Sequence, residues 1–127
     1  MTFDMLPNKI KRKPSKMAAT MWPDCENSFE LNRFYERYES CEGEIGEAYI
    51  FFWSAQEIAE YEPLRADLYP ATWKIFGGDG GGTYFGFSND ENKRHFFSCD
   101  PVDPKGSVTW LGEWPEFIRS VSKAKYV

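Results

Sequence analysis

Catalysis by a general base finds little material in this chain, which holds one histidine, His95, in 127 residues. A Ser-His-Asp or Cys-His site would have to be built on that residue. His95 sits in an aromatic run beside Phe96 and Phe97, a setting that suits a strand residue better than a base. Cysteine is also scarce. Cys25, Cys41 and Cys99 form no CxxC and no paired metal-ligand spacing. An odd, scattered set of this kind suits buried thiols in a reducing compartment. His95 and Cys99 lie four apart without a second ligand pair, so no metal is expected. No run approaches the roughly 18 apolar residues of a membrane span. Met1 to Lys16 lacks the apolar region of a secretory signal, so the expected location is cytoplasmic. Excess positive charge is missing too: the formal net charge is -5 and the isoelectric point about 4.9. Nucleic acid, which requires a basic surface, is therefore not an expected partner.

Catalytic and nucleotide motifs are absent as well. The glycine-rich stretch carries neither a P-loop nor a dinucleotide fingerprint, and it leads into a strand pattern rather than a helix. The acidic ligands of an EF-hand loop do not surround Asp79. Ser120-Val121-Ser122-Lys123 reads S-x-x-K, but it closes the chain and lacks the companion motifs of penicillin-binding enzymes. No cofactor and no enzymatic activity are expected.

What the chain does have is aromatic residues, at 18%, and one organising stretch. Thr72 to Phe76 alternates, Gly77-Gly78-Asp79-Gly80-Gly81-Gly82 follows, and Thr83 to Phe87 alternates again. Period two with aromatic and β-branched residues predicts two strands. The intervening glycines predict a wide hairpin turn. Trp53, Trp73 and Phe85 are expected in the core.

Around this hairpin the chain reads in order. Met1 to Pro23 carries Pro7, Pro14 and Pro23 with a basic cluster, and predicts an arm or extension with at most one short helix. Asn27 to Ser40 predicts a helix, with Leu31, Phe34, Tyr35 and Tyr38 on one face. Glu42 to Glu47 predicts an exposed acidic loop. Ala48 to Trp53 predicts a buried strand. Ser54-Ala55-Gln56-Glu57 has the capping-box pattern of a helix start, with Ala55, Ile58 and Ala59 inward and Pro63 as the stop. Ser88 to Lys93 reads as a polar turn, Arg94 to Cys99 as a strand, Asp100 to Gly106 as a loop and Val108 to Leu111 as a short strand. Trp114, Phe117, Ile118 and Val121 predict a closing helix, with Pro115 in its first turn. Strands cluster in the middle and helices lie at the ends. The expected fold is a single α+β domain with a mainly antiparallel sheet of about four to six strands and helices packed on one side.

Charge is uneven along this order. Lys9, Lys11, Arg12, Lys13 and Lys16 make the start basic, whereas Asp24 to Asp67 holds twelve carboxylates against three arginines. An acidic surface of this kind can steer a basic partner.

The succession of residues also resembles a known family. Glu42-Gly43 follows an aromatic helix, and Tyr49-Ile50-Phe51-Phe52-Trp53-Ser54 leads to Glu57-Ile58. Then come Phe76-Gly77-Gly78-Asp79-Gly80-Gly81-Gly82-Thr83-Tyr84-Phe85-Gly86-Phe87 and a closing Glu116-Phe117-Ile118. This order resembles the SUKH superfamily (the Smi/Knr-like domain) over Phe29 to Ser120. It departs from the family in its first residues, where Leu6-Pro7 lies well upstream of the aromatic helix. The resemblance implies a SUKH domain over residues 24–127 after an arm over residues 1–23. It also implies a non-enzymatic protein of the bacterial immunity type, which binds and neutralises a cognate toxin, often a nuclease or deaminase. Other relatives are fungal regulators, so a regulatory or scaffold domain holding endogenous partners is the alternative. A nuclease toxin would offer a basic surface. The expected contact set is then acidic and aromatic: Glu42, Glu44, Glu47, Glu62, Asp67 and Asp79 with Trp73 and Tyr84. A monomer or weak homodimer is expected.

Overall fold

A computed structural model of the protein describes residues 5–11, 29–65, 67–88 and 96–127. Arg12, Lys13, Lys16, Cys25, Asn27, His95 and most of the turn expected from Ser88 to Lys93 lie outside the described residues. Among the described residues seven strands form one antiparallel sheet, each paired with its sequence neighbours in the order β1 to β7. They are β1 (Lys9–Lys11), β2 (Tyr38–Ile45), β3 (Ala48–Phe52), β4 (Trp73–Gly78), β5 (Tyr84–Ser88), β6 (Phe96–Cys99) and β7 (Thr109–Gly112). The helices among the described residues are α1 (Phe29–Arg37), α2 (Ala55–Arg65), α3 (Pro104–Ser107) and α4 (Trp114–Ser122). The fold is α+β as expected, with β2 to β7 as its main strands and three-residue β1 added at one edge.

Period-two alternation divides the side chains between two faces of the sheet. Ile50 and Phe52 of β3, Phe76 of β4, Phe85 and Phe87 of β5, Phe96 of β6 and Leu111 of β7 share the main core. Helix α1 covers it with Leu31, Phe34 and Tyr35, and α4 with Trp114, Phe117, Ile118 and Val121. The rings meet edge to face, as Phe52 and Phe76 do at 4.9 Å and 89°, while Phe96 stacks on Phe117 at 4.7 Å and 15°. Such contacts add to the burial of each ring.

Several expectations require correction. Tyr38 does not extend α1; it opens β2, although its ring still meets Phe34 at 5.4 Å. The stretch read as an acidic loop is mostly strand. Cys41 pairs with Phe52, Glu42 with Phe51 and Glu44 with Tyr49. Cys41 and Ile45 are buried while Glu42 and Glu44 are exposed, an alternation that the two glycines obscured.

Pro63 lies inside α2 rather than ending it. Tyr61 against Trp53 (4.8 Å) and Glu62 paired with Lys74 (2.7 Å) fix this last turn from the tertiary side. Of the three residues expected inward, Ile58 is buried, Ala55 is half-buried and Ala59 is exposed. Within the loop expected from Asp100 to Gly106, α3 begins at Pro104.

The glycine hairpin forms, but its turn is shorter than the glycine run. Gly77 and Gly78 belong to β4 and pair with Phe85 and Tyr84. A side chain on Gly78 would lie 2.7 Å from the Thr83 carbonyl oxygen and 3.0 Å from the Phe51 ring. The turn itself is held by Asp79, whose Oδ1 accepts from the backbone of Gly81 (2.8 Å) and Thr83 (3.1 Å). Gly80 and Gly82 take positive φ there, where a side chain would be strained.

Candidate protein-interaction face

The opposite face of the sheet carries a second, smaller cluster. Tyr69, Ile75, Phe97 and Cys99 are buried in it, and Trp53, Tyr61, Trp73, Tyr84, Val108 and Trp110 pack around them half-exposed. Alternation explains who points here. In β5 Tyr84 and Gly86 face outward between Phe85 and Phe87, and in β6 Phe97 and Cys99 alternate with Phe96 and Ser98. In β7 Trp110 faces outward and Leu111 inward.

Ring contacts order this outer face. Trp53 touches Phe51 (5.9 Å), Tyr61 (4.8 Å) and Tyr84 (5.4 Å). Trp73 touches Phe97 (4.7 Å), Trp110 (5.5 Å) and Tyr69 (6.4 Å). Two strand glycines make room for the rings. Phe51 lies over Gly78, and Phe97 over Gly86, where a Cβ would come within 2.8 Å of the Phe97 ring. A hollow of about 170 Å³ opens beside the second group, lined by Tyr69, Pro70, Trp73, Lys74 and Glu62.

Carboxylates rim one side of this face. Glu42 stands opposite Phe51 and Glu44 opposite Tyr49, and all four share the outer face because directly opposed residues point the same way. The Tyr49 hydroxyl donates to Glu42 Oε2. That hydrogen bond to a carboxylate raises the Tyr49 pKa, with burial and the Glu42 charge acting the same way.

The eight residues expected to contact a partner therefore separate. Glu42, Glu44, Trp73 and Tyr84 share one face. Glu62 is half-buried in its ion pair with Lys74. Glu47 is exposed in the β2–β3 turn, where its backbone N–H donates to the Ser122 carbonyl (2.7 Å). Asp67 is exposed in the turn after α2. Asp79 is occupied by the hairpin, and its Oδ2 also accepts from the Tyr126 hydroxyl (2.7 Å). Sequence reasoning left Tyr61 and Trp110 out of the set and assigned Trp53 to the core. The Trp110/Leu111 alternation and the three-residue step from Ile58 to Tyr61 were the available signals. Phe85 is fully buried as expected, whereas Trp53 and Trp73 are half-buried on the outer face.

Chemistry elsewhere is muted. Among the described residues no group of three or more His, Cys, Asp or Glu could hold a metal ion, and no helix is long and apolar enough to cross a membrane. Burial pushes the Cys41 and Cys99 thiols up to about 12, so both are protonated at neutral pH and poor nucleophiles. Tyr35, its hydroxyl donating to the Trp53 carbonyl at 2.6 Å, is also raised, chiefly by burial. What the arrangement offers is a rigid aromatic platform with an acidic margin. No protein-family model and no curated protein matches this chain.

Proposed function

We propose that the chain is a non-enzymatic protein-binding domain that uses the outer face of its sheet, and that it acts as an immunity protein neutralising a cognate toxin with a basic surface. The observation that carries the binding reading is the row of half-exposed Trp53, Tyr61, Trp73, Tyr84 and Trp110 on the sheet face opposite α1 and α4. Tryptophan and tyrosine dominate interface hot spots because they bury much area with few rotatable bonds. Glu42 and Glu44 at the margin favour a basic partner and speed its approach. A standard interface takes about 800 Å² from each partner, a modest share of the 7243 Å² surface. The toxin as partner rests on the resemblance of the sequence to the SUKH superfamily.

Co-expression with the product of the adjacent gene tests this. Growth rescue and a stoichiometric complex on size exclusion are expected. The W73A/W110A variant should weaken that complex about 30-fold or more, the scale of a hot-spot loss. A complex insensitive to these changes would remove the outer face as the interface. An adjacent product that is neither toxic nor bound would favour a regulatory domain with resident partners.

A further inference from the structure

A groove of about 210 Å³ lies between β2, the end of β3 and the start of α2, lined by Ser40, Cys41, Glu42, Phe51, Phe52, Trp53 and Glu57. It is continuous with the aromatic face, since Trp53 belongs to both. Its walls combine two chemistries. Phe51 and Trp53 supply ring surface, with their centroids 5.9 Å apart. Glu42 and Glu57 supply two exposed carboxylates, one from the sheet and one from the helix. Among the described residues, each carboxylate has one oxygen engaged: Glu42 Oε2 by the Tyr49 hydroxyl and Glu57 Oε1 by the Ser54 backbone N–H (3.0 Å). These bonds hold the side chains in place while leaving Glu42 Oε1 and Glu57 Oε2 to an incoming donor. Lys9, on the neighbouring strand, directs its ammonium to the Leu6 carbonyl (3.0 Å) and over the Tyr38 ring.

Resting on the interaction reading above, we infer that this groove receives an arginine side chain of the protein partner. The guanidinium is planar, stacks on Trp53 and Phe51, and donates to two separate carboxylates at once. Lysine offers a compact, strongly hydrated charge that fits the ring surface less well. An acidic or apolar side chain would leave Glu42 and Glu57 desolvated without a partner.

The test uses the full chain and three blocked tripeptides, Gly-Arg-Gly, Gly-Lys-Gly and Gly-citrulline-Gly, titrated at low salt. The readout is the indole N–H resonances of Trp53, Trp73 and Trp110. The arginine peptide should shift Trp53 saturably and leave Trp73 and Trp110 nearly unmoved. Citrulline keeps the shape and loses the charge, and should bind at least about fivefold more weakly, as should the arginine peptide to E42Q/E57Q. Glutamine preserves both structural bonds, including the capping-box role of Glu57, so this variant should keep the parent melting temperature. Equal binding of citrulline or lysine, no Trp53 shift, or unchanged affinity in E42Q/E57Q would each overturn the assignment. These outcomes are separate from those of the interaction reading, because W73A/W110A weakens the partner complex without touching the groove.

Discussion

Substituting Gly86 by alanine tests the layering of the outer face directly. Gly86 takes no positive φ, so alanine introduces no backbone strain there. On conformational grounds alone the change should stabilise by about 0.4–1 kcal/mol, because the unfolded chain loses freedom. The packing predicts the opposite sign. A Cβ at this position would lie 2.8 Å from the Lys74 carbonyl oxygen and 2.8 Å from Phe97 Cε1. Phe97 is fully buried and wedged against Trp73 at 4.7 Å and Trp110 at 5.4 Å, so its ring has nowhere to retreat. Overpacking of this kind costs about 1–3 kcal/mol. The net expectation for G86A is a loss of about 1–2 kcal/mol, or a fall in Tm of about 4–8 °C for a chain of this size.

The cause can be isolated with a second change. F97L removes the ring atoms that meet the new methyl group. Alone it should cost about 1–2 kcal/mol through lost contacts with the two tryptophans. With G86A the combined loss should fall short of the sum by about 1 kcal/mol, since the two sites touch. The Lys74 carbonyl remains, so rescue is partial. Urea melts of the four proteins, followed by tryptophan fluorescence, supply the cycle if the slopes agree. A G86A protein as stable as its parent, or strictly additive losses, would refute the placement of the Phe97 ring over Gly86.

Cys41 and Cys99 should resist a disulfide thiol reagent in the native protein at pH 8 and react once urea unfolds it, because burial raises both to about 12; fast native reaction at both would contradict their positions. Y126F should destabilise by about 1 kcal/mol through loss of the bond to Asp79, measured by the same melts. Tyr126 is raised to about 12 by burial first and the Asp79 bond second, so the unfolded state loses its proton before the folded one. Its contribution is complete below pH 10 and disappears as pH rises toward 12; Y126F should show a shallower alkaline loss of stability than the parent. Reversing charge in E42K/E44K should slow association with a basic partner by about tenfold at low salt and much less at high salt; stopped-flow rates that are equal at both salts would show that these carboxylates do not steer.

The parts of the fold that could be read from sequence are those where local chemistry and tertiary structure agree. The hairpin of β4 and β5 follows from alternation on both sides of a glycine turn. The start of α2 follows from Ser54 and Glu57, which do form the reciprocal capping box: Ser54 N–H to Glu57 Oε1 at 3.0 Å and Glu57 N–H to Ser54 Oγ at 3.2 Å. The buried face of α4 follows from its helical spacing. Failures occur where the sheet overrides a local signal. Tyr38 continues the helical period of α1, yet β1 supplies its pairing partner in Lys11 and draws it into β2. Gly77 and Gly78 look like turn residues, yet β4 needs them because β3 crosses too closely for a side chain. The proposed interaction face was only half legible for a related reason. Period two shows that Trp73 and Tyr84 share a face, but which face the helices cover is decided by α1 and α4 from distant parts of the chain.

The two sheet faces differ in how their rings are arranged, and that difference bears on function. On the inner face Phe52, Phe76, Phe85 and Phe96 stand beside one another and meet rings from α1 and α4, which fills the space between sheet and helix. On the outer face glycines alternate with the large residues, and Phe51 and Phe97 lie down over Gly78 and Gly86. Rings lying along a sheet make a low, rigid platform, and braced against one another they have little rotamer freedom left to lose. A partner that docks there avoids much of the ordering cost of an interface built from long flexible side chains. Under the proposed binding role the same glycines serve stability and recognition together, and changing either one should damage both. Separation of the two should come instead from Trp73 and Trp110, which lie over the platform half-exposed. Truncating them removes partner contact and also two rings that brace Phe97, so W73A/W110A should melt lower than its parent, and the layering requires that at a temperature where it is still folded it binds its partner far more weakly.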